Sequence, residues 1–163
     1  MSPVSAYVGL GANLGDAAHS VRIAIDLLGQ LPQTILSACS SLYRSAPIDA
    51  TGEDFVNAAV KLETQLDAHQ LLVELQRIEH HFGRERPFRN APRTLDLDLL
   101  VFGKETICDS TLEVPHPRMG SRAFVLLPLH ELTPDLEIPG LGPVEQLLAV
   151  VGDQAIEKLD ADR

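Results

Sequence analysis

Apolar positions along the chain alternate between period-two runs and runs near period 3.6. Residues 6–10 read as a short buried strand ending in the glycine-rich turn Gly9-Leu10-Gly11-Ala12-Asn13-Leu14-Gly15. Behind Asp16, a residue suited to an N-cap, Val21, Ile25, Leu28 and Leu31 recur at helical spacing until Pro32 stops the run. Residues 34–44 are rich in strand formers. Residues 54–64 alternate cleanly, with Val56, Ala58, Val60 and Leu62 on one face and Phe55, Asn57, Lys61 and Glu63 on the other. Asp67 to Gln70 has the chemistry of a capping box, and Leu71, Leu75, Ile78 and Phe82 form the stripe of a second helix that Gly83 would close. Gln76 and Glu79 share a face outside that stripe. From Leu95 to Phe102 the pattern is strand-like again, with Leu95, Leu97 and Leu99 pointing one way and Asp96 and Asp98 the other. A hairpin around 103–105, a short strand over 112–114 and a third helix from Ser121, kinked or shortened by Pro128, follow. A helix over 144–150 and a fraying charged end complete the chain.

Strand, helix, strand, strand, helix, strand is the order of an α+β, ferredoxin-like split βαβ sheet, mainly antiparallel and flanked by helices. If Val56, Ala58 and Val60 join Leu95, Leu97 and Leu99 beneath the helices, then Phe55, Asn57, Asp96 and Asp98 share the opposite face. Chemistry is expected there.

At 163 residues the chain suits one domain, 1–163, burying about 70 % of the surface exposed by its unfolded form. Two cysteines without CxxC spacing suggest a reduced, cytoplasmic protein, and no apolar stretch approaches the length of a bilayer span. A net charge of -10 argues against nucleic acid or an anionic membrane as the main partner. Yet eight of the thirteen Lys and Arg residues lie between Arg77 and Arg122, a local cationic region that fits a small anion.

Each motif has a plainer reading beside the chemical one. The Asp pair could be the solvated face of a half-buried strand. However, Asp is disfavoured in strands and adjacent like charges repel without a cation, and paired carboxylates suit magnesium carrying a polyphosphate. Arg77, Arg84, Arg86, Arg89 and Arg93 could serve as surface partners for acidic residues. Five guanidinium groups around one Pro- and Asn-containing loop also match bidentate grip on phosphate. The Gly9 to Gly15 turn is neither a dinucleotide fingerprint nor a P-loop, and a tight strand-to-helix connection explains it better. His116, held between Pro115 and Pro117 near Arg118 and Arg122, could bond a phosphate or simply pack.

The segments YVGLGANLGD, SSLYRSAPID, DFVNAAVKLET, LQRIEHHFGRERP, APRTLDLDLLVFG and VPHPRMGSRAFVLLPL, in this order between Tyr7 and about Pro139, resemble the 6-hydroxymethyl-7,8-dihydropterin pyrophosphokinase family. The resemblance implies diphosphate transfer from ATP to the pterin hydroxymethyl group, releasing AMP, with two Mg2+ ions, inside the folate pathway. It implies Asp96 and Asp98 as metal ligands, with Arg84 and Arg93 joining them in catalysis. Gln76, Glu79, Arg84, Arg86, Arg93, Leu99, His116 and Arg122 match ATP-site positions. Ser45, Ala46, Ile48, Phe55, Asn57, Asp96 and Phe124 match the pterin site. The partners expected are these two small substrates, with no nucleic acid and no membrane, in a monomer. In the basic loop, where some members carry a closing aromatic residue, this chain has Asn90, with Phe88 nearby. The competing reading is a non-catalytic ferredoxin-like module that binds nucleotide or RNA, which should show exposed aromatics on a basic sheet; aromatics here are only 4 % of residues, and the corresponding face offers carboxylates.

Arg84 and Arg93 stand at the two ends of the basic loop. Alanine at either should weaken nucleotide binding or turnover far more than alanine at Arg22, as steady-state kinetics would record; equal effects would remove the loop from the site.

Overall fold

The computed structural model of the protein describes residues 3–13, 16–45, 54–82 and 95–159. Its central strand, β1 (Val4–Ala12), pairs antiparallel with β4 (Phe55–Thr64) on one side and with β5 (Asp96–Phe102) on the other. Strands β2 (Thr34–Cys39) and β3 (Tyr43–Ser45) follow one another along the far edge of β4. Helix α1 (Ala17–Leu28) joins β1 to β2, and α2 (Ala68–His81) joins β4 to β5, each passing over one intervening strand. This is the split βαβ arrangement that the order of elements predicts.

Local chemistry fixes the helix starts. Asp16 accepts the His19 N–H at 3.1 Å, and Asp67 and Gln70 form a reciprocal capping box at the head of α2. Beneath the two helices, Val21, Ala24, Leu28, Leu71, Leu75 and Ile78 pack against Val8, Val56, Ala58, Val60, Leu95, Leu97 and Leu99. The alternation read from the sequence therefore faces the core as expected.

Four features depart from that reading. The strand-forming run 34–44 is two strands, because Ser40 leaves the β2 ladder: its N–H donates to Ala59 O and its Oγ accepts the Ala59 N–H, both at 2.9 Å. The hairpin expected at 103–105 is only a turn through Gly103 (φ +55), since the chain does not return along β5. Instead β6 (Ile107–Cys108) pairs with β7 (Glu113–Val114) around Asp109, whose carboxylate accepts the N–H groups of Thr111 and Leu112 at 2.9 Å each. Thr111, then His69, hold that carboxyl well below the usual carboxylate range. Third, α3 (Ala123–Leu132) and α4 (Val144–Val150) cover part of the second sheet face, which alternation alone had left to the chemistry. Tyr7, Ala59, Leu100 and Val101 pack there with Met119, Leu126 and Leu129. Fourth, the charged end does not simply fray: residues Ile156–Lys158 form β10, paired with β3. The small β8 (Glu137–Ile138) and β9 (Gly142–Pro143) hairpin links α3 to α4. No described helix is long and apolar enough to cross a membrane.

The core ranking gives a simple expectation. Leu62, fully buried in β4, should cost about 2–5 kcal/mol on truncation to alanine. Ile35, 67 % exposed on β2, should cost less than about 0.5 kcal/mol. Urea denaturation of the two variants checks the contrast.

Candidate active site

Register decides which side chains meet. Tyr43 on β3 lies opposite Asn57 on β4, Asn57 opposite Gly11 on β1, and Gly11 opposite Asp96 on β5. One row therefore crosses four strands, with all its side chains on one face. The neighbouring row runs Ala59, Gly9, Asp98. With glycine at both β1 positions, the centre of each row has no side chain, and a cavity of about 320 Å³ opens above it. A Cβ at Gly11 would sit 3.5 Å from Asn57 Oδ1 and 4.0 Å from Phe55 Cδ1, and would occupy space above the floor. At Gly9 it would press on Leu100 at 3.2 Å. The Gly-x-Gly that looked like a turn is part of a strand, and it forms the floor of the site.

One side of the cavity carries a flat and polar set. Phe55, Asn57 and Ser45 line it from the sheet, and Phe124 and Val125 from α3. Asn57, 3 % exposed, donates from Nδ2 to Ser45 Oγ at 2.7 Å, which fixes the amide plane. The other side carries charge. Asp96 is half-buried and Asp98 exposed, and both line the cavity. Between them, the Leu97 N–H on the outer edge of β5 donates to Glu79 Oε2 at 2.8 Å. Glu79 is thus turned inward, only 7 % exposed, and does not share the outer face of α2 with Gln76 as helical spacing had suggested. The unpaired strand edge supplies a donor that a buried carboxylate can satisfy.

A register shift between Tyr7 and Val8 lets β5 carry one extra residue, Leu100. By alternation Leu99 stays 4 % exposed in the core beneath α1 and α2 while Leu100 lines the cavity, and the shift brings Val101 to the same face as Leu100. Past β7, the His116 N–H donates to Leu100 O at 3.0 Å, and His116 Nδ1 accepts the Arg118 N–H at 3.3 Å. A neutral His116 ring bonded this way carries its proton on Nε2. Arg118 and Arg122 line the cavity, and the Arg122 guanidinium stacks 5.5 Å from the Phe124 ring centroid. Gln76 lies apart, in an open depression on α2 with Val73, Arg77 and His80.

Of the residues predicted from sequence, Ser45, Phe55, Asn57, Phe124, Asp96, Asp98 and Arg122 come together at this cavity. Glu79 supports it from beneath, and His116 flanks it through Arg118 and Leu100. Ala46, Ile48, Arg84, Arg86 and Arg93 lie outside the described residues, as do Phe88 and Asn90. Gly9, Gly11, Leu100, Arg118 and Val125 were not anticipated. The Gly-x-Gly spacing matched the strand period and could have revealed the first two.

Among the described residues no group of three or more His, Cys, Asp or Glu side chains could hold a metal ion. The two carboxylates supply only part of a coordination sphere. That donor set fits magnesium, a hard ion that takes its remaining ligands from water and substrate phosphates.

Residues 7–134 match the family model for 7,8-dihydro-6-hydroxymethylpterin-pyrophosphokinase (HPPK). The 2-amino-4-hydroxy-6-hydroxymethyldihydropteridine pyrophosphokinase of Haemophilus influenzae is 40 % identical over 158 residues, covering 96 % of this chain and 99 % of the relative. Its counterpart from Pseudomonas aeruginosa is 44 % identical over 154 residues, covering 94 % and 95 %. Among solved structures, an HPPK-DHPS in complex with substrates superposes with a TM-score of 0.76 at 12 % identity, over 92 % of this chain. The chain spans 43 % of that longer protein, and at this identity the likeness speaks for the fold.

The open floor can be tested directly. Gly11→Val should leave the thermal midpoint within a few degrees, roughly the effect of 1 kcal/mol, because an added Cβ makes only ordinary contacts there. Its branched side chain should nevertheless abolish ligand uptake. A folded Gly11→Val protein of normal activity would show that the floor does not receive substrate.

Proposed function

The chain belongs to the 7,8-dihydro-6-hydroxymethylpterin-pyrophosphokinase family, and we propose that it runs the family reaction on magnesium-bound ATP at the cavity above the Asn57-Gly11-Asp96 row. It transfers diphosphate from ATP to the hydroxymethyl oxygen of 6-hydroxymethyl-7,8-dihydropterin, a step of folate biosynthesis. The new bond joins that oxygen to the β-phosphorus, the bridge to the α-phosphorus breaks, and AMP leaves. We further read residues 1–163 as a single pyrophosphokinase domain working as a cytoplasmic monomer.

Asn57, with its amide plane held by Ser45, hydrogen-bonds the edge of the pterin, and Phe55 and Phe124 supply apolar surface for its ring. Ala46 and Ile48 belong to the same pterin set by resemblance. Asp96 and Asp98 would hold two magnesium ions, which when bound neutralise phosphate oxygens and ease loss of the hydroxyl proton. Asp96, in the same row as Asn57, is the side chain that assists removal of that proton from the substrate hydroxyl. Arg122 and His116, with Arg84, Arg86 and Arg93 of the basic loop, offset charge on the transferred group and on departing AMP. Gln76, Glu79 and Leu99 complete the nucleotide set. For Leu99, whose side chain is buried away from the cavity, contact would come from its backbone. Glu79 acts through the Leu97 N–H, which holds the Asp-bearing strand at its edge.

The observation carrying this reading is the shared row: a pinned amide and a carboxylate on one face, separated by a residue with no side chain. Incubation with ATP, magnesium and the hydroxymethyl pterin should give AMP, whereas ADP as product would refute diphosphate transfer. Asp98→Ala should abolish turnover even in excess magnesium, and a variant of near-normal rate would remove Asp98 from the metal site.

A further inference from the structure

One group of polar contacts, centred on the exposed carboxylate of Glu131 and reaching the buried Tyr43, lies outside the residues assigned to either substrate. Glu131, near the C-terminal end of α3, accepts the Ser41 N–H through both carboxylate oxygens at 3.0 and 3.1 Å. Its Oε2 also accepts from Ser41 Oγ at 2.9 Å, and its Oε1 from the Tyr43 hydroxyl at 2.5 Å. Three donors from the β2-to-β3 step thus converge on one carboxylate. Tyr43 is the first residue of the row that continues through Asn57 and Gly11 to Asp96. Ser45, two residues on and facing the same way, accepts from Asn57. On the helix, Glu131 stands seven residues, close to two turns, beyond Phe124.

We propose that Glu131 is a positioning residue for the pterin half of the site: by gripping Ser41 and Tyr43 it fixes the separation between the sheet floor (Ser45, Phe55, Asn57) and the α3 wall (Phe124, Val125). A flat ring between two walls is sensitive to their spacing, and a bidentate carboxylate holding three donors is a stiff connection. The other end of α3 is pinned independently. Gln154 Oε1 accepts the Ala123 N–H at 2.8 Å, and Gln154 Nε2 donates to Ser121 O at 3.0 Å. With both ends held, the helix cannot pivot about Phe124. The connection keeps its protonation states: burial, then Glu131, raise the Tyr43 phenol, so it remains a donor. Burial pushes the Glu131 carboxyl up, but hydrogen bonds from Tyr43 and Ser41 outweigh this and leave it below its ordinary value. An internal control lies just past α3, where Thr133 Oγ1 bonds Tyr7 Oη at 2.8 Å: this second helix-to-sheet contact reaches β1 and touches neither β3 nor the Ser45–Asn57 pair.

The inference rests on the cavity being the pterin site, and the experiment separates the two. Affinity for 6-hydroxymethyl-7,8-dihydropterin is measured by titration calorimetry with magnesium and α,β-methylene-ATP, whose replaced bridge cannot break. Thermal midpoints are recorded for each variant. Glu131→Ala should weaken pterin binding about tenfold or more, whereas affinity for the nucleotide analogue should change less than about twofold. Tyr43→Phe should weaken it severalfold, and the double variant should be no worse than Glu131→Ala, since both break one connection. Glu131→Gln, which keeps one acceptor oxygen, should fall between. Thr133→Val should lower the midpoint without altering pterin affinity. Unchanged pterin affinity in folded Glu131→Ala, or an equal loss in Thr133→Val, overturns the proposal. If Glu131→Ala does not fold, unchanged affinity in Tyr43→Phe overturns it. Asn57→Ala with undiminished pterin binding would instead displace the pterin from this cavity, whatever Glu131 does.

Discussion

Everything at the site depends on the antiparallel register of β1 between β4 and β5. Because paired residues share a face, that register alone sets Asn57, Gly11 and Asp96 in line, and Ala59, Gly9 and Asp98 beside them. A one-residue slip of β5 against β1 would send the carboxylates under α1 and α2 and bring Leu97 and Leu99 to the cavity, and a slip of β4 would bury Asn57 and turn Val56 and Ala58 outward. The register is protected by burial: Val8, Val60, Leu62 and Leu95, each at most 1 % exposed, would all have to leave the core together. Hydrophobic packing on one face thus specifies the chemistry of the other.

The second face does two jobs that conflict. At one end it is a core, where α3 and α4 cover Tyr7, Ala59, Leu100 and Val101; at the other it must stay open for ligands. The extra residue at Leu100 reconciles them. Without it, Asp96 and Asp98 could not face the cavity while Leu100 and the adjacent Val101 both packed against the α3 side. The same strand then serves as metal-site candidate at its start and as core at its end. Glu79 steadies the start by accepting the Leu97 N–H, a contact on the one edge of β5 that has no neighbouring strand in the main sheet.

How much of this could be read from sequence follows from the range of each interaction. Local signals were legible: Asp16 and Asp67 as caps, α4 over 144–150, and the facing of Val56, Leu97 and Asp98 all follow from spacing. So did the convergence of Phe55, Asn57, Asp96 and Asp98, because in an antiparallel sheet facing needs only the pleat. What stayed hidden needed a partner distant in sequence. Ser40 ends β2 through Ala59, Glu79 turns inward for Leu97, and β10 finds β3 more than a hundred residues earlier. Gly9 and Gly11 were misjudged for another reason. Glycine usually marks a turn, and only the β1 ladder on both sides shows that here it marks the absence of a side chain.

That absence has a cost, and its location is informative. Glycine within a strand gives up backbone entropy and side-chain packing, about 1 kcal/mol relative to alanine at each position. Two such residues in the central strand would be a poor choice for a sheet whose only task was to fold. They are tolerated because β1 is paired on both edges and its other face is buried at Val8, Leu10 and Ala12, 3 % exposed or less. Stability from one face allows the other to go without. The opening lies between a hydrogen-bonded amide and a pair of carboxylates, within reach of Arg122 stacked on Phe124. Under the proposed function, a flat, polar-edged ring and an anion that brings its own cation would lie side by side in this gap and meet above Gly11.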